Sequence, residues 1–326
     1  INSVRSGPAM APVAGRHYAE IENQTHSALV VDTGGTTFDV SLVRDGDITI
    51  TQETWLGERF TGHMLGIPAV DARSVGAGGG SIAWLDDAGL LRVGPQSAGA
   101  NPGPACYGQG GTEPTVTDAA LVLGYIDPDY FLGGKMALDT QAARDAIEKI
   151  ATPLGMTAQQ AAYSIFAVSN ETMINAIKEI TVSEGIDPSE SIIVAGGGAA
   201  GLGIVPIAKE LKCRAVIVPR TASVLSACGM QFSDIQMETS RTIPTRSDAF
   251  DREAVNRGLD AIDEELENFA TRLAARGFPE NKTTYRTDAH YAAQVWDIAV
   301  DLPSDRLRSD EDVDALCEAF HRNHER

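Results

Sequence analysis

The residue types best suited to chemistry lie in Asp32-Thr-Gly-Gly-Thr-Thr-Phe-Asp39. The apolar run Ala28-Leu-Val-Val ends in a carboxylate, and Gly34 and Gly35 let the backbone approach a ligand closely. Thr36 and Thr37 add hydroxyl donors, and Asp39 begins the next strand pattern. Such a turn can aim several N–H groups at one anion, as a backbone nest. With a phosphate in the nest, Asp32 holds Mg2+, usually through water, and the cation offsets the phosphate charge. On that reading Asp32 and Asp39 are the catalytic carboxylates, and Asp32 is the metal ligand. The same string also makes a plain hairpin, with Gly-Gly chosen for positive φ. Spacing leaves both readings open.

A second glycine turn, Ala195-Gly-Gly-Gly-Ala-Ala-Gly201, follows a strand pattern and opens a helix pattern. Gly196, Gly197 and Gly198 would present helix N-terminal N–H groups to a ligand; close helix–strand packing explains them equally well. The segment is neither a dinucleotide fingerprint nor a Walker loop. A third run, Gly76-Ala-Gly-Gly-Gly80, reads as a bulge or tight strand crossing. His63 and Asp71 flank an irregular segment and form a candidate metal or substrate pair, against the simpler reading of a histidine bonded within a loop. Thr117 or Asp118 reads as a helix N-cap, Arg73 as half of a surface ion pair. Asn101, Cys106 and Tyr107 lie in a long Gly- and Pro-rich stretch, 94–116, of a length that is uncommon without a function.

The elements that must position these groups follow from pattern. Strands are expected at 28–32, 38–43 and 48–55 as a meander turning at Asp45-Gly46, with further β pattern over 70–94. A short helix is expected to end at Gly15. Helices are expected at 117–124, 139–150 and 158–184, the last with Phe166, Ser169, Met173, Ile177 and Ile180 on one buried face. A strand at 191–195, a helix at 202–211, a buried strand at 215–219 and a short helix at 224–230 continue the alternation of a sheet covered by helices. Near residue 245 the character changes to charged helices, 251–276 and 309–321, around a β pattern at 284–302. A boundary at 244–250 divides the chain into 1–245 and 246–326.

With 326 residues, two domains are expected. There are 26 basic and 45 acidic side chains, a net charge of -19, which counts against nucleic acid as the main partner. No apolar run is long enough for a membrane span. The four cysteines lack metal-finger spacing; Cys213 and Cys228 read as buried structural thiols, and a reduced, cytoplasmic setting is expected. The start at Ile1 and the end within a helical pattern suggest a piece of a longer polypeptide.

Together the turns resemble the actin–hexokinase-like (ribonuclease H-like) ATPase fold, an α/β lobe with a mixed sheet and helices, here followed by a smaller α+β region. Asp32-Thr-Gly-Gly-Thr-Thr looks like its second phosphate hairpin and Gly196-Gly-Gly198 like its adenosine turn. More closely, the chain resembles the hydantoinase A/5-oxoprolinase family, which includes acetone and acetophenone carboxylase subunits. Ser6-Gly-Pro-Ala9, Asp32 to Val40, Ser74 to Ile82, Ser97 to Gly108, Pro114 to Ala119, Ser226-Ala-Cys-Gly229 and the Tyr291 to Trp296 stretch carry that resemblance. Many relatives have Gly-Pro-Leu-His after the adenosine glycines where this chain has Ala200-Gly-Leu-Gly203, so no role of that histidine carries over.

The resemblance implies ATP and Mg2+ as cofactors. It implies an enzyme that activates a cyclic amide or ketone by phosphoryl transfer, for hydrolysis or carboxylation. It also implies a first ATPase lobe of the same polypeptide, lacking here, and a second, hydantoinase B-like subunit as partners. Two alternatives stand beside it: a non-catalytic nucleotide-binding or structural subunit, and a sugar-kinase-like phosphotransferase, which would carry an acceptor-positioning Asp in the first lobe.

Overall fold

The run Ala28-Leu-Val-Val is apolar at every position because its strand is covered on both faces. The computed structural model describes residues 6–23, 27–51, 55–56, 61–64 and 69–325, the side chains of 6–8, 23 and 56 excepted. Its first unit, residues 1–233, opens with α1 (Ser6–Asn23), β1 (Ala28–Thr33), β2 (Phe38–Arg44) and β3 (Asp47–Ile48). Four two-residue strands, β4 to β7 (Ile50–Thr51, Trp55–Leu56, His63–Met64, Ala69–Val70), lead to β8 (Ala72–Val75), β9 (Ser81–Leu85) and β10 (Leu91–Ser97). Next come α2 (Val116–Val122), α3 (Thr140–Leu154), α4 (Ala158–Ser183), β11 (Ile192–Gly196), α5 (Ala200–Glu210), β12 (Ala215–Ile217) and α6 (Leu225–Phe232).

The main sheet has the order β12-β11-β1-β2-β3, with β8 also pairing β2. It is mixed: β1, β11 and β12 are parallel, while β2 runs antiparallel to β1, β3 and β8. Alternate residues of β1 feed different cores, as strand geometry requires. Leu29 and Val31 pack with Ile177 and Ile180 of α4 and Ile204 and Ile207 of α5. Ala28 and Val30 pack with Ala11 and Ala14 of α1 and Leu225 of α6. Thr157 and Gln160 close a capping box at the start of α4, and Phe166, Ser169, Met173, Ile177 and Ile180 are all buried along it. Each fully buried Ile or Leu contributes about 1.5–3 kcal/mol.

Several expectations need correction. The first helix does not stop at Gly15; it continues to Asn23. A Cβ on Gly15 would lie 2.2 Å from Val30 Cγ2, so this glycine marks where the helix presses on the sheet rather than where it ends. The expected strand 48–55 is broken into short pieces, its residues 52–54 lying outside the described residues, as do 65–68 between His63 and Asp71. The strand expected at 215–219 closes at Ile217 and is only half-buried. Cys213 and Cys228 are also half-buried. The helix at Asp118 is capped by Thr115, with Asp118 at the third position of a capping box.

The second unit, residues 234–326, contains α7 (Arg252–Ala274), β13 (Arg286–Ala289), β14 (Ile298–Asp301) and α8 (Asp310–His324). Its division from the first falls at 233/234 because residues 239–243 are tied to α7. Thr239 donates to Glu265 Oε2 at 2.6 Å, and Arg241 pairs with the same carboxylate. Ile243 lies over Gly258, where a Cβ would come within 2.1 Å of Ile243 Cδ1. Arg306 joins Asp260 and Asp263, and Tyr285 donates to Asp263 at 2.5 Å. Among the described residues no helix is long and apolar enough to cross a membrane.

Candidate functional site

Three glycine turns leave the same end of the main sheet. Parallel pairing brings the carboxyl ends of β1 and β11 together, with Asp32 opposite Gly196. Antiparallel pairing sets Asp32 opposite Asp39 and, one strand further, Phe38 opposite Val75 at the carboxyl end of β8. The chain therefore turns at Gly34–Thr37, at Gly76–Gly80 and at Gly196–Ala199 within one region.

Backbone hydrogen bonds stitch the turns to each other. Gly34 N–H donates to Thr37 O at 2.9 Å, closing the first turn. Gly79 N–H reaches Gly34 O at 3.1 Å and Gly80 N–H reaches Gly35 O at 2.6 Å. A Cβ on Gly78 would stand 2.7 Å from Gly34 O and 2.8 Å from Thr36 N, so only glycine permits this approach. Of the bulge or tight crossing expected for this run, the structure has a close backbone-to-backbone contact, and it supports the first turn. On the other side Ala199 N–H donates to Thr33 O at 3.0 Å and Gly197 N–H to Ala222 O at 2.7 Å. Gly197 has φ +91, and a Cβ there would fall 2.1 Å from Thr33 O.

The outer rim is open. Gly35, Thr36, Thr37 and Gly198 are exposed, and nothing lies within 4 Å of the Cβ position of Gly35 or Gly198. Ala199 caps α5 and makes no side-chain cap bond, so no side chain competes for the N–H groups at the positive end of that helix. Thr36 Oγ1 lies 3.3 Å from Ser97 Oγ, which brings the start of the 98–108 loop to the rim.

Asp32 is the electrostatic centre. Burial pushes its carboxyl above the ordinary range, the Ser226 hydroxyl pulls it back by donating to Oδ2 at 3.1 Å, and the Asp39 charge opposite raises it again. A carboxylate in that state gains from a cation. Among the described residues no group of three or more His, Cys, Asp and Glu could hold a metal unaided. Mg2+ needs less, since it keeps several waters and takes one or two carboxylates plus phosphate oxygens. The residues therefore fit a magnesium–phosphate ligand: a partly buried carboxylate facing a second one, beside glycines with open space in front of them.

His63 and Asp71 are not part of these turns. Asp71 accepts from Arg73 Nε at 3.3 Å, and Arg73 also pairs with Glu179 at 3.1 Å. His63 lies exposed on β6, paired opposite Leu56. Cys106 is buried, and burial together with the Asp118 charge pushes its thiol well above the usual range, which suits packing and not nucleophilic attack. Ser226, the Gly78–Gly80 backbone and Thr117 are site residues that spacing did not assign. Their contacts with Asp32, Gly34 and Gly79 span long stretches of chain, and the one local signal was the unbroken Gly78-Gly-Gly80 string.

Fold and site together define a mixed α/β protein with glycine turns gathered at one end of its sheet around a carboxylate pair. The chain belongs to the hydantoinase/oxoprolinase family, whose family model matches residues 1–239. It is 40% identical over 333 residues to the caprolactamase subunit alpha of Pseudomonas jessenii, covering 99% of this chain and 46% of that one. It is 34% identical to the acetophenone carboxylase gamma subunit of Aromatoleum aromaticum, covering 97% and 43%. The crystal structure of the ATP-dependent caprolactamase from Pseudomonas jessenii superposes with a TM-score of 0.80 at 39% identity, over 98% of this chain and 46% of that chain. The chain thus spans about half the length of the relatives it matches.

Proposed function

We propose that this chain is one lobe of an ATP-dependent enzyme that activates a cyclic amide or a ketone by phosphoryl transfer, for hydrolysis or carboxylation. The observation that carries the reading is the convergence of three glycine turns on Asp32 and Asp39, with open space before Gly35 and Gly198. The relatives, an ATP-dependent caprolactamase and an acetophenone carboxylase subunit, support it from a separate direction. On this reading the lobe is of the actin–hexokinase-like kind. Residues 34–37 form its phosphate hairpin and residues 196–198 its adenosine turn.

When bound, ATP with Mg2+ supplies a phosphoryl group that turns an enolate or lactam oxygen into a better leaving group. The residues of this chain then position and neutralise. Gly35, Thr36 and Thr37 would hold phosphate oxygens through N–H and hydroxyl groups on the turn that Gly34 closes, while the Gly196, Gly197 and Gly198 turn, open at Gly198, would take the nucleoside side. Asp32, with Asp39 opposite it on β2, would hold the cation through its water shell, and Ser226 would orient the Asp32 carboxylate. Loose phosphoryl transfer needs little more than placement and charge stabilisation, so no protein nucleophile is required.

Because the chain spans less than half of these relatives, the remaining contacts to ATP would come from a further lobe of the same polypeptide. A second, hydantoinase B-like subunit would complete the reaction. The test is phosphate release by the intact polypeptide, alone and with the subunit encoded beside it, over lactams, hydantoins, 5-oxoproline and ketones. Substrate-stimulated release by one class is expected, and none from residues 1–326 alone. Uniform absence of stimulation would favour a non-catalytic nucleotide-binding subunit.

A further inference from the structure

Asp118 is fully buried at the third position of α2, and the proposed transfer does not use it. A carboxyl group removed so completely from water is costly unless hydrogen bonds saturate it. Here Oδ1 accepts from Cys106 N–H at 2.8 Å. Oδ2 accepts from Ala105 N–H at 3.2 Å, Thr115 N–H at 3.0 Å and the Thr115 hydroxyl at 2.7 Å. A capping box needs only the bonds to Thr115. Those to Ala105 and Cys106 reach back 13 and 12 residues and serve the loop that precedes the helix.

That loop is held at its other end by the site. Ala98 N–H donates to Gly80 O at 2.8 Å, next to the Ser97–Thr36 contact. Thr117, the neighbour of Asp118, sends both its N–H and its hydroxyl to Gly79 O, each at 2.7 Å. Gly79 N–H in turn holds Gly34 O. From Asp118 to the first glycine turn the path is therefore one helical turn, one carbonyl and one amide.

We propose that Asp118 is a positioning residue for the site. By fixing the first turn of α2 and the far end of the 98–108 loop, it lets Thr117 clamp Gly79, and Gly79 clamp the Gly34–Gly35 turn. That the clamped turn binds phosphate rests on the function proposed above; the clamp itself does not.

Backbone hydrogen exchange in the intact polypeptide tests the clamp without reference to turnover. Asp118→Asn replaces one accepting oxygen with a donor, so at least one N–H of Ala105, Cys106 or Thr115 faces an N–H group. Thr117→Val keeps shape and N–H and removes only the hydroxyl bond to Gly79. Both variants should raise exchange in peptides covering 33–37 and 77–81 by about tenfold, the scale of one lost hydrogen bond. Asp139→Ala, which removes the N-cap of α3, should loosen α3 and leave those peptides unchanged. Faster exchange confined to 97–118 in Asp118→Asn, or wild-type exchange at 33–37 in Thr117→Val, overturns the proposal. If Asp118→Asn fails to accumulate, Thr117→Val decides alone. Where the wild type turns over ATP, its KM for MgATP should rise about tenfold in both variants with kcat nearly kept, and an unchanged KM in both also overturns it. A wild type that neither binds nor hydrolyses MgATP would remove the proposed function, while the exchange result would still judge the clamp.

Discussion

Replacing Asp32 with Asn separates the two roles that a half-buried carboxylate at a strand end can have. In the folded chain its pKa is raised, by burial first and by the Asp39 charge, against the lowering effect of the Ser226 hydroxyl. The sign follows directly. A carboxyl group with a raised folded pKa contributes stability that is present below its ordinary value of 3.8 and is lost as pH rises through the folded value. At neutral pH the charge on Asp32 therefore costs the fold. Asn keeps the shape and leaves an amide oxygen for Ser226, while removing a like charge placed directly opposite Asp39. Relief of such a pair is worth about 0.2–1 kcal/mol, or a rise in melting temperature of about 0.4–4 °C for a unit of this size. The gap between variant and wild type should close as pH falls toward 4 and open toward 8, when followed by melting curves at about one-unit intervals. Substrate-stimulated ATP turnover should fall by about a hundredfold, the scale of removing an electrostatic stabiliser from a preorganised site. Near-normal turnover would reduce the turn to a plain hairpin. A melting temperature lowered by several degrees at neutral pH would make Asp32 a structural residue, and the reasoning from its electrostatics would fail.

Other outcomes follow from the same geometry. Gly197→Ala places a Cβ 2.1 Å from Thr33 O at φ +91 and should cost about 3 kcal/mol or more, read as loss of soluble protein or of denaturant midpoint. Gly198→Ala meets nothing within 4 Å; it should melt like the wild type and weaken MgATP binding, measured by calorimetry. Thr36→Val removes one exposed hydroxyl and leaves the backbone nest, so kcat/KM should fall less than about tenfold. Cys106 should resist maleimide in the folded protein at neutral pH, and Cys213, with its thiol pushed up to about 11 by burial, should react slowly; peptide mass mapping before and after denaturation checks both.

Local pattern alone determined much of the scaffold. The apolar run before Asp32, the single buried face of α4 and the strand–glycine–helix unit at 192–210 are encoded within a few turns of chain, where side-chain periodicity reports burial directly. What no local pattern carries is which glycines face which. A glycine signals positive φ or close approach with the same absence of a side chain, so Gly15, Gly78 and Gly197 could be told apart only once Val30, Gly34 and Thr33 stood against them. Ser226 reaches Asp32 across 194 residues, and the placement of β11 beside β1 is what closes that distance. The His63 and Asp71 spacing carries as little: closeness in sequence gives no common direction, and Asp71, just before β8, pairs with Arg73 on that strand. Composition and periodicity thus set which segments are strands and helices. The order and direction of strands in one mixed sheet, a matter of long-range pairing, decided that three separate turns share one end of it.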